Sequence, residues 1–123
     1  MDRPTAADDP SDVDQPSAAY LAVTVTAPSA EEASALATTA VQRRLAACAQ
    51  VSGPISSTYW WDGALTTARE WVCTFKTTGG VLDRLVAALR EVHSYDLPEI
   101  VAVPLGGDRS YLRWIDAETG AGA

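Results

Sequence analysis

Two cysteines and one histidine are the side chains of this sequence best suited to bind a transition metal. The thiolate of Cys48 favours a soft ion such as cuprous copper, whereas the imidazole of His93, followed closely by the carboxylates of Asp96 and Glu99, favours cupric ion or another divalent metal. These four residues are the predicted metal ligands. The alternative is structural, since a free cysteine is commonly a buried hydrophobe and a lone histidine commonly makes a capping or interface hydrogen bond.

The spacing of these ligands argues against a closed metal site in one chain. The sequence contains neither a CxxC pair nor the ligand spacing of a zinc site. Cys48 and His93 are expected at opposite ends of the predicted sheet, and Cys73 is expected to pack in the core. We therefore expect no required cofactor, and any copper or other divalent metal to be bound weakly and shared between subunits.

Glu70, Lys76, Thr77 and Tyr95 are the candidates for ligand binding or acid–base chemistry in a cleft between subunits. Glu70 and Lys76 share one face of a predicted strand but lie about 20 Å apart, so they need different partners. Cys48 is expected opposite Thr77 across a hairpin, although a bulge could shift this pairing by one residue. Structural ion pairing and capture of an anion or a metal are both compatible with these charges.

Tyr59, Trp60 and Trp61 form an aromatic cluster beside a predicted hairpin turn. Consecutive strand residues point to opposite faces, so one small domain cannot bury all three. Burying a large aromatic side chain stabilises by about 2 to 3 kcal/mol, which favours contact between copies of the chain. The cluster therefore predicts a subunit interface, with ligand stacking as the alternative.

The sequence has no recognisable catalytic motif. It lacks a nucleophile elbow, a phosphate-binding loop and an HExxH pair, and its one histidine leaves little choice of base. We expect a protein that is not an enzyme. Glu, Lys and Tyr side chains in a cleft leave acid–base chemistry open as an alternative.

The elements that must position these residues follow from hydrophobic periodicity and turn signals. Residues 20–26 alternate as a strand, and Ser29 with Glu32 forms a predicted capping box for a helix that ends near Ala46 or Ala47. Asp62-Gly63 joins two long predicted strands, over 48–61 and 65–77. The remaining predicted features are a bulge or edge position at Gly53-Pro54, a helix over 81–92, a strand over 99–105 and a short helix over 110–116.

The resulting order is strand, helix, strand, strand, helix, strand, with a short C-terminal helix. This order predicts an α+β fold of the ferredoxin-like split βαβ type, with two helices on one face of an antiparallel sheet and an extended hairpin. The order alone does not identify a function, because many unrelated proteins share it.

Several segments in this order resemble the CutA divalent-cation tolerance family over residues 20–116. The segments are Leu45-Ala46-Ala47-Cys48, Tyr59-Trp60-Trp61-Asp62-Gly63, Glu70, Lys76-Thr77 and the run from His93 to Ile100. The resemblance implies a homotrimer with hairpins that wrap between subunits, a link to copper and divalent-metal tolerance, and a likeness to PII signalling proteins. The family has no settled enzymatic activity.

Three functional hypotheses follow. The first is a noncatalytic trimer that binds metal or a small ligand in clefts between subunits and affects metal tolerance. The second is a PII-like sensor or scaffold that docks a protein partner. The third is an enzyme that acts on a small anion through Lys76 and Glu70.

Composition sets the remaining expectations. The chain of 123 residues carries 16 acidic and 9 basic residues, for a net charge of −7, which opposes binding to nucleic acid or an anionic membrane. Residues 1–18 are expected to form a disordered acidic tail, residues 19–117 one domain, and residues 118–123 a frayed end. With no secretory signal or membrane-length apolar run, a cytoplasmic location with reduced thiols is predicted.

Overall fold

The first strand, β1, spans Tyr20–Ala27 in the computed structural model, which describes residue 13 and residues 18–120. Its side chains alternate as the sequence indicates. Leu21, Val23 and Val25 are completely buried, whereas the residues between them point to the other face. The strand thereby divides a core face from a second face that carries smaller and more polar residues.

Helix α1 spans Ala30–Gln42 and begins at the predicted cap. Ser29 has extended backbone geometry, and its Oγ accepts a hydrogen bond of 3.1 Å from the Glu32 amide. In place of the return bond of a capping box, the Glu32 carboxylate accepts from the amide and hydroxyl of Ser94, at 3.1 and 2.8 Å. The helix also ends earlier than predicted, and Arg44 follows with a φ of 60°.

The long hairpin consists of β2, Cys48–Trp61, and β3, Ala64–Thr78. Asp62 and Gly63 both have positive φ, as a tight hairpin turn requires. The pairing register shifts between Ser52 and Ile55, which places the predicted irregularity at Gly53-Pro54. Because of this shift, Cys48 lies opposite Lys76 and not opposite Thr77.

The sheet has the strand order β2-β3-β1-β4, where β4 spans Ile100–Pro104, and every neighbouring pair is antiparallel. Helix α2 spans Leu82–Val92 and follows a single helical turn over 79–81. Together with α1 it provides the apolar side chains that cover the core face of the sheet. The predicted α+β split βαβ fold is confirmed. The largest core residues are Leu21, Leu36, Phe75, Leu82, Leu85 and Leu89.

A third helix, α3, spans Arg109–Glu118 and is capped by Asp108, whose Oδ2 accepts from the Tyr111 amide at 2.9 Å. Residues 118–120 of the predicted frayed end contact the rest of the chain. Thr119 is buried and its hydroxyl donates to the Ile115 carbonyl. The amide of Gly120 donates to the Arg44 carbonyl at 2.8 Å, which ties the chain end to the turn after α1. Residues 121–123 lie outside the described residues.

The predicted acidic tail falls almost entirely outside the described residues, which include only Val13 and Ala18 from it. Val13 is partly buried and packs against the hydrophobic core. A disordered tail over the rest of residues 1–18 stays a prediction.

Candidate functional site

A cavity of about 750 Å³ lies between the tip of the long hairpin and the segment of residues 94–99 that connects α2 to β4. Strand β2 supplies the aromatic residues of the tip, and β3 supplies Glu70. The connecting segment supplies Tyr95, Asp96 and Glu99 from the opposite side. Because the hairpin extends beyond β1, its end does not pack on the core and can form one wall of this cavity.

Glu70 is the most buried charged residue of the cavity, with 5% of its surface exposed. The Tyr95 hydroxyl donates a hydrogen bond of 3.2 Å to Glu70 Oε2. Burial, and after it the negative charge of Glu70, raises the pKa of Tyr95 to about 12. The phenol therefore keeps its proton at neutral pH and acts as a hydrogen-bond donor.

His93 fixes the backbone of the 94–99 segment. Its side chain is fully buried, and Nε2 donates to the Thr26 carbonyl at 2.7 Å, because a carbonyl can only accept. Nδ1 accepts from the Tyr95 amide at 3.0 Å, so the ring is a neutral imidazole with its proton on Nε2. Glu32 Oε2 lies 3.4 Å from Nδ1, but this contact is not an ion pair while the ring is neutral.

These bonds bear directly on the predicted metal ligands. Both nitrogens of His93 are engaged, so a metal would have to displace the Tyr95 amide from Nδ1 or the proton from Nε2. Residue 13 and residues 18–120 contain no group of three or more His, Cys, Asp or Glu residues that could hold a metal ion. Metal binding by His93, Asp96 and Glu99 stays a prediction that one protomer does not favour.

Cys48 lies at the other end of the sheet from His93, as predicted. Cys48 pairs with Lys76, which pairs with Ala22, whereas His93 contacts Thr26 four residues along β1. Cys48 is partly exposed, and the Tyr111 hydroxyl lies 3.9 Å from its Sγ. Burial, and then the hydrogen bond to Cys48, raises the pKa of Tyr111.

Two of the four predicted cleft residues lie together and two lie elsewhere. Glu70 and Tyr95 form the bonded pair in the cavity. Lys76 donates to the side-chain oxygen of Gln50 at 2.6 Å, and Thr77 is buried on the core face, where its hydroxyl donates to the Leu45 carbonyl. Within a protomer only Glu70 and Tyr95 share a site, and the assignment of all four residues to a cleft between subunits stays a prediction.

The aromatic tip remains accessible in a single chain. Trp60 is 68% exposed and Trp61 is 44% exposed, whereas Tyr59 is partly buried. All three line the cavity. Their predicted role at a subunit interface stays a prediction.

Sequence reasoning missed the residues that position the site through the backbone. Thr26 contributes its carbonyl oxygen, which any residue could supply, so no sequence signal marks it. Glu32 joins α1 to Ser94 across 62 positions of the chain, and periodicity carries no information at that separation. Ser57 and Thr58 also line the cavity beside the tip.

The protein-family model for the CutA1 divalent ion tolerance protein matches residues 21–118. This chain belongs to that family. The match includes β1, both core helices, the hairpin and α3, and therefore every element that positions the cavity. The resemblance inferred from the sequence segments is confirmed.

Two relatives show how far this CutA1 family member is similar to known proteins. It is 37% identical over 100 residues to "Protein CutA 1, chloroplastic" of Oryza sativa subsp. japonica, covering 80% of this chain and 56% of that protein. It is 37% identical over 99 residues to the divalent-cation tolerance protein CutA of Thermus thermophilus, covering 80% of this chain and 96% of that one. The chain thus spans about half the length of the rice relative and nearly all of the Thermus relative.

Solved structures agree with the fold. The CutA1 crystal structure from Oryza sativa superposes with a TM-score of 0.81 at 35% identity, covering 85% of this chain and 96% of that chain. The divalent cation tolerance protein structure from Thermus thermophilus gives a TM-score of 0.80 at 36% identity, covering 82% and 99%. Across the described residues, none of the helices is long and apolar enough to cross a membrane.

Proposed function

We propose that this CutA1 family member is a noncatalytic homotrimer that supports tolerance to divalent metals, copper among them, by binding a metal or a small ligand in the cavity at the hairpin tip. The observation that carries the proposal is the cavity itself, which is lined by the buried Glu70, its partly buried partner Tyr95 and the exposed aromatic tip. The volume of about 750 Å³ lies in the range of small-ligand sites. The name of the Thermus relative supplies the link to divalent cations.

Exposed apolar surface supports the homotrimer. Besides the tip tryptophans, Val101 and Val103 on β4 are 50% and 54% exposed, on the sheet face that points away from α1 and α2. Apolar surface at a strand edge and at a hairpin tip is commonly covered by another subunit. A trimer that covers both the β4 edge and the hairpin tip would place the cavity next to a neighbouring copy.

The chemistry of the cavity supports a noncatalytic role. The described residues that line it include no Lys, Arg, His or Cys, so it has neither a cation to stabilise a developing negative charge nor an imidazole or thiolate to activate or attack a substrate. With its pKa raised to about 12, Tyr95 is a poor general base near neutral pH. Lys76, the cation of the small-anion hypothesis, lies outside the lining and is hydrogen-bonded to Gln50.

The experiment for this proposal combines native mass spectrometry and growth. The intact chain should appear as a trimer, and a panel of divalent and cuprous ions should identify any bound metal. Cells that lack the chain should grow less well in excess copper, and the wild-type gene should restore growth. A trimer that binds none of the ions, with growth unchanged, would remove the metal-tolerance part.

Matched substitutions locate the metal. Cys48→Ser should weaken cuprous binding if the thiolate is the ligand, while the pair Asp96→Asn and Glu99→Gln should weaken cupric binding at the cavity. Glu91→Gln on the exposed face of α2 is the control, because it removes a carboxylate that does not line the cavity. Unchanged binding in all of these variants would contradict the ligand assignment.

A further inference from the structure

The cavity at the hairpin tip carries negative charge without a cation to balance it. Glu70, Asp96 and Glu99 line it, and the described residues of the lining include no cationic side chain. None of the ion pairs among the described residues involves Glu70, although it is 5% exposed. Its described partner, the Tyr95 hydroxyl, is neutral. A buried carboxylate without an opposite charge is costly, so the site favours a positively charged ligand.

Aromatic rings make up much of the remaining wall. Tyr59, Trp60, Trp61 and Tyr95 all line the cavity, from both of its sides. The faces of Trp and Tyr rings attract cations, most strongly when the cation is weakly hydrated and bulky enough to contact several rings. Rings on two sides, together with a buried carboxylate, are the combination by which proteins bind organic ammonium groups.

A bare metal ion fits this arrangement less well. Metal ions need several oxygen, nitrogen or sulfur ligands converging on one point, and no such group of three His, Cys, Asp or Glu residues exists in residue 13 or residues 18–120. The three carboxylates are instead spread around about 750 Å³ of space. That volume suits a molecule of several heavy atoms.

We propose that the cavity between the hairpin tip and residues 94–99 binds a small organic cation that carries an ammonium group. The ammonium group lies near Glu70, where the buried charge is, and the apolar part of the ligand contacts the tip tryptophans. This inference rests on the proposed function only in taking the cavity as the ligand site. It assigns the class of ligand, and it is independent of whether a metal binds at Cys48.

The test uses a pair of probes that differ only in charge. Choline is titrated into the intact chain by calorimetry, with tryptophan fluorescence as a second readout. The matched probe is its uncharged carbon isostere, in which a tert-butyl group replaces the trimethylammonium group. Choline should bind, and the neutral isostere should bind at least roughly tenfold more weakly, because cation–π and charge interactions are lost while size is kept. Equal binding of the two probes, or no binding of choline, overturns the proposal.

Substitutions connect the binding to the cavity. Glu70→Gln keeps the shape of the side chain and removes its charge, so choline affinity should fall roughly tenfold while affinity for the neutral probe changes little. Should that variant fail to fold, the exposed Asp96→Asn provides the same comparison, with a smaller loss. Glu91→Gln is the control and should bind choline as the wild type does. An equal response of Glu91→Gln and the cavity variants would place the binding elsewhere and overturn the proposal.

Mass measurements on the same samples separate this inference from the proposed function. A monomer that binds choline would contradict the proposed trimer and would still support an organic cation as the ligand. A trimer that does not bind choline would contradict an organic cation as the ligand and would still support the proposed trimer. Occupation of the cavity by a neighbouring subunit would give the second result and counts against the inference.

Discussion

At the scale of single residues, the two cysteines show how burial decides chemistry. Cys73 is completely buried between the sheet and the helices, and burial, followed by the charge of Cys48, raises its pKa to about 12. Its thiol therefore stays protonated and packs as a small hydrophobe. Cys48 is partly exposed and is the thiol available to a metal or a reagent.

Thiol labelling tests this difference. In native protein at mild alkaline pH, a thiol reagent should modify one cysteine per chain, and Cys48→Ser should abolish the reaction, because Cys73 is inaccessible and un-ionised. Both thiols should react in denaturant. Native labelling of two thiols per chain would show that the core around Cys73 opens readily.

Because the pKa of Cys73 is raised in the folded state, the free energy of unfolding should fall as the pH rises through the alkaline range. The folded state keeps a proton that the unfolded chain loses above the ordinary thiol pKa of 9.0. The stabilisation that the protonated Cys73 thiol gives the folded state is therefore complete below pH 9.0. It is lost as the pH rises toward the pKa of about 12 in the folded state. Cys73→Ala should flatten the fall in the free energy of unfolding over this range, and an unchanged slope would contradict the assignment.

His93 provides a second test at this scale, because a structural role and a metal-binding role predict different results. His93→Ala leaves the Thr26 carbonyl and the Tyr95 amide without their partner, so unfolding in urea with a metal chelator should show a loss of about 2 to 3 kcal/mol. Ser94→Ala, which removes an exposed hydroxyl nearby, should cost less than about 1 kcal/mol. A residue that serves only to bind metal would show no loss in the chelator.

At the scale of elements, the sequence predicted which segments are helices and strands better than it predicted where each one ends. Alternation marked β1, and the Asp62-Gly63 turn placed both arms of the hairpin within a residue of their observed bounds. Helix α1 ended early because Arg44 takes a left-handed conformation that the sequence does not signal. The two halves of the cavity could not be joined from the sequence, because Glu70 and Tyr95 are 25 residues apart and the segment that carries Tyr95 is held by long-range contacts of His93 and Glu32.

The hairpin turn can be tested with matched glycines. Gly63 has a φ of 77°, and a Cβ added there would meet no heavy atom within 4 Å, so Gly63→Ala tests backbone strain alone. It should lower the free energy of unfolding by about 1 kcal/mol. Gly107 is equally open and does not have such a φ, so Gly107→Ala should be neutral or slightly stabilising. Equal effects in a denaturation series would contradict the turn assignment.

At the scale of the whole molecule, the proposed function depends on the assembly of copies around the sheet face and the hairpin tip. Membership of the CutA1 family and the similarity to solved CutA1 structures establish the fold of the chain. The exposed tryptophans and β4 valines are the surface that a trimer would cover. The same tip forms a wall of the cavity, so assembly and ligand binding share residues.

Sedimentation equilibrium of the intact chain at micromolar concentration is the most direct test of that assembly. We expect one species at three times the protomer mass of 13.0 kDa. The double variant Trp60→Ala and Trp61→Ala should shift this species toward monomer, whereas Glu91→Gln should leave it unchanged. A wild-type chain that sediments as a monomer would contradict the proposed homotrimer.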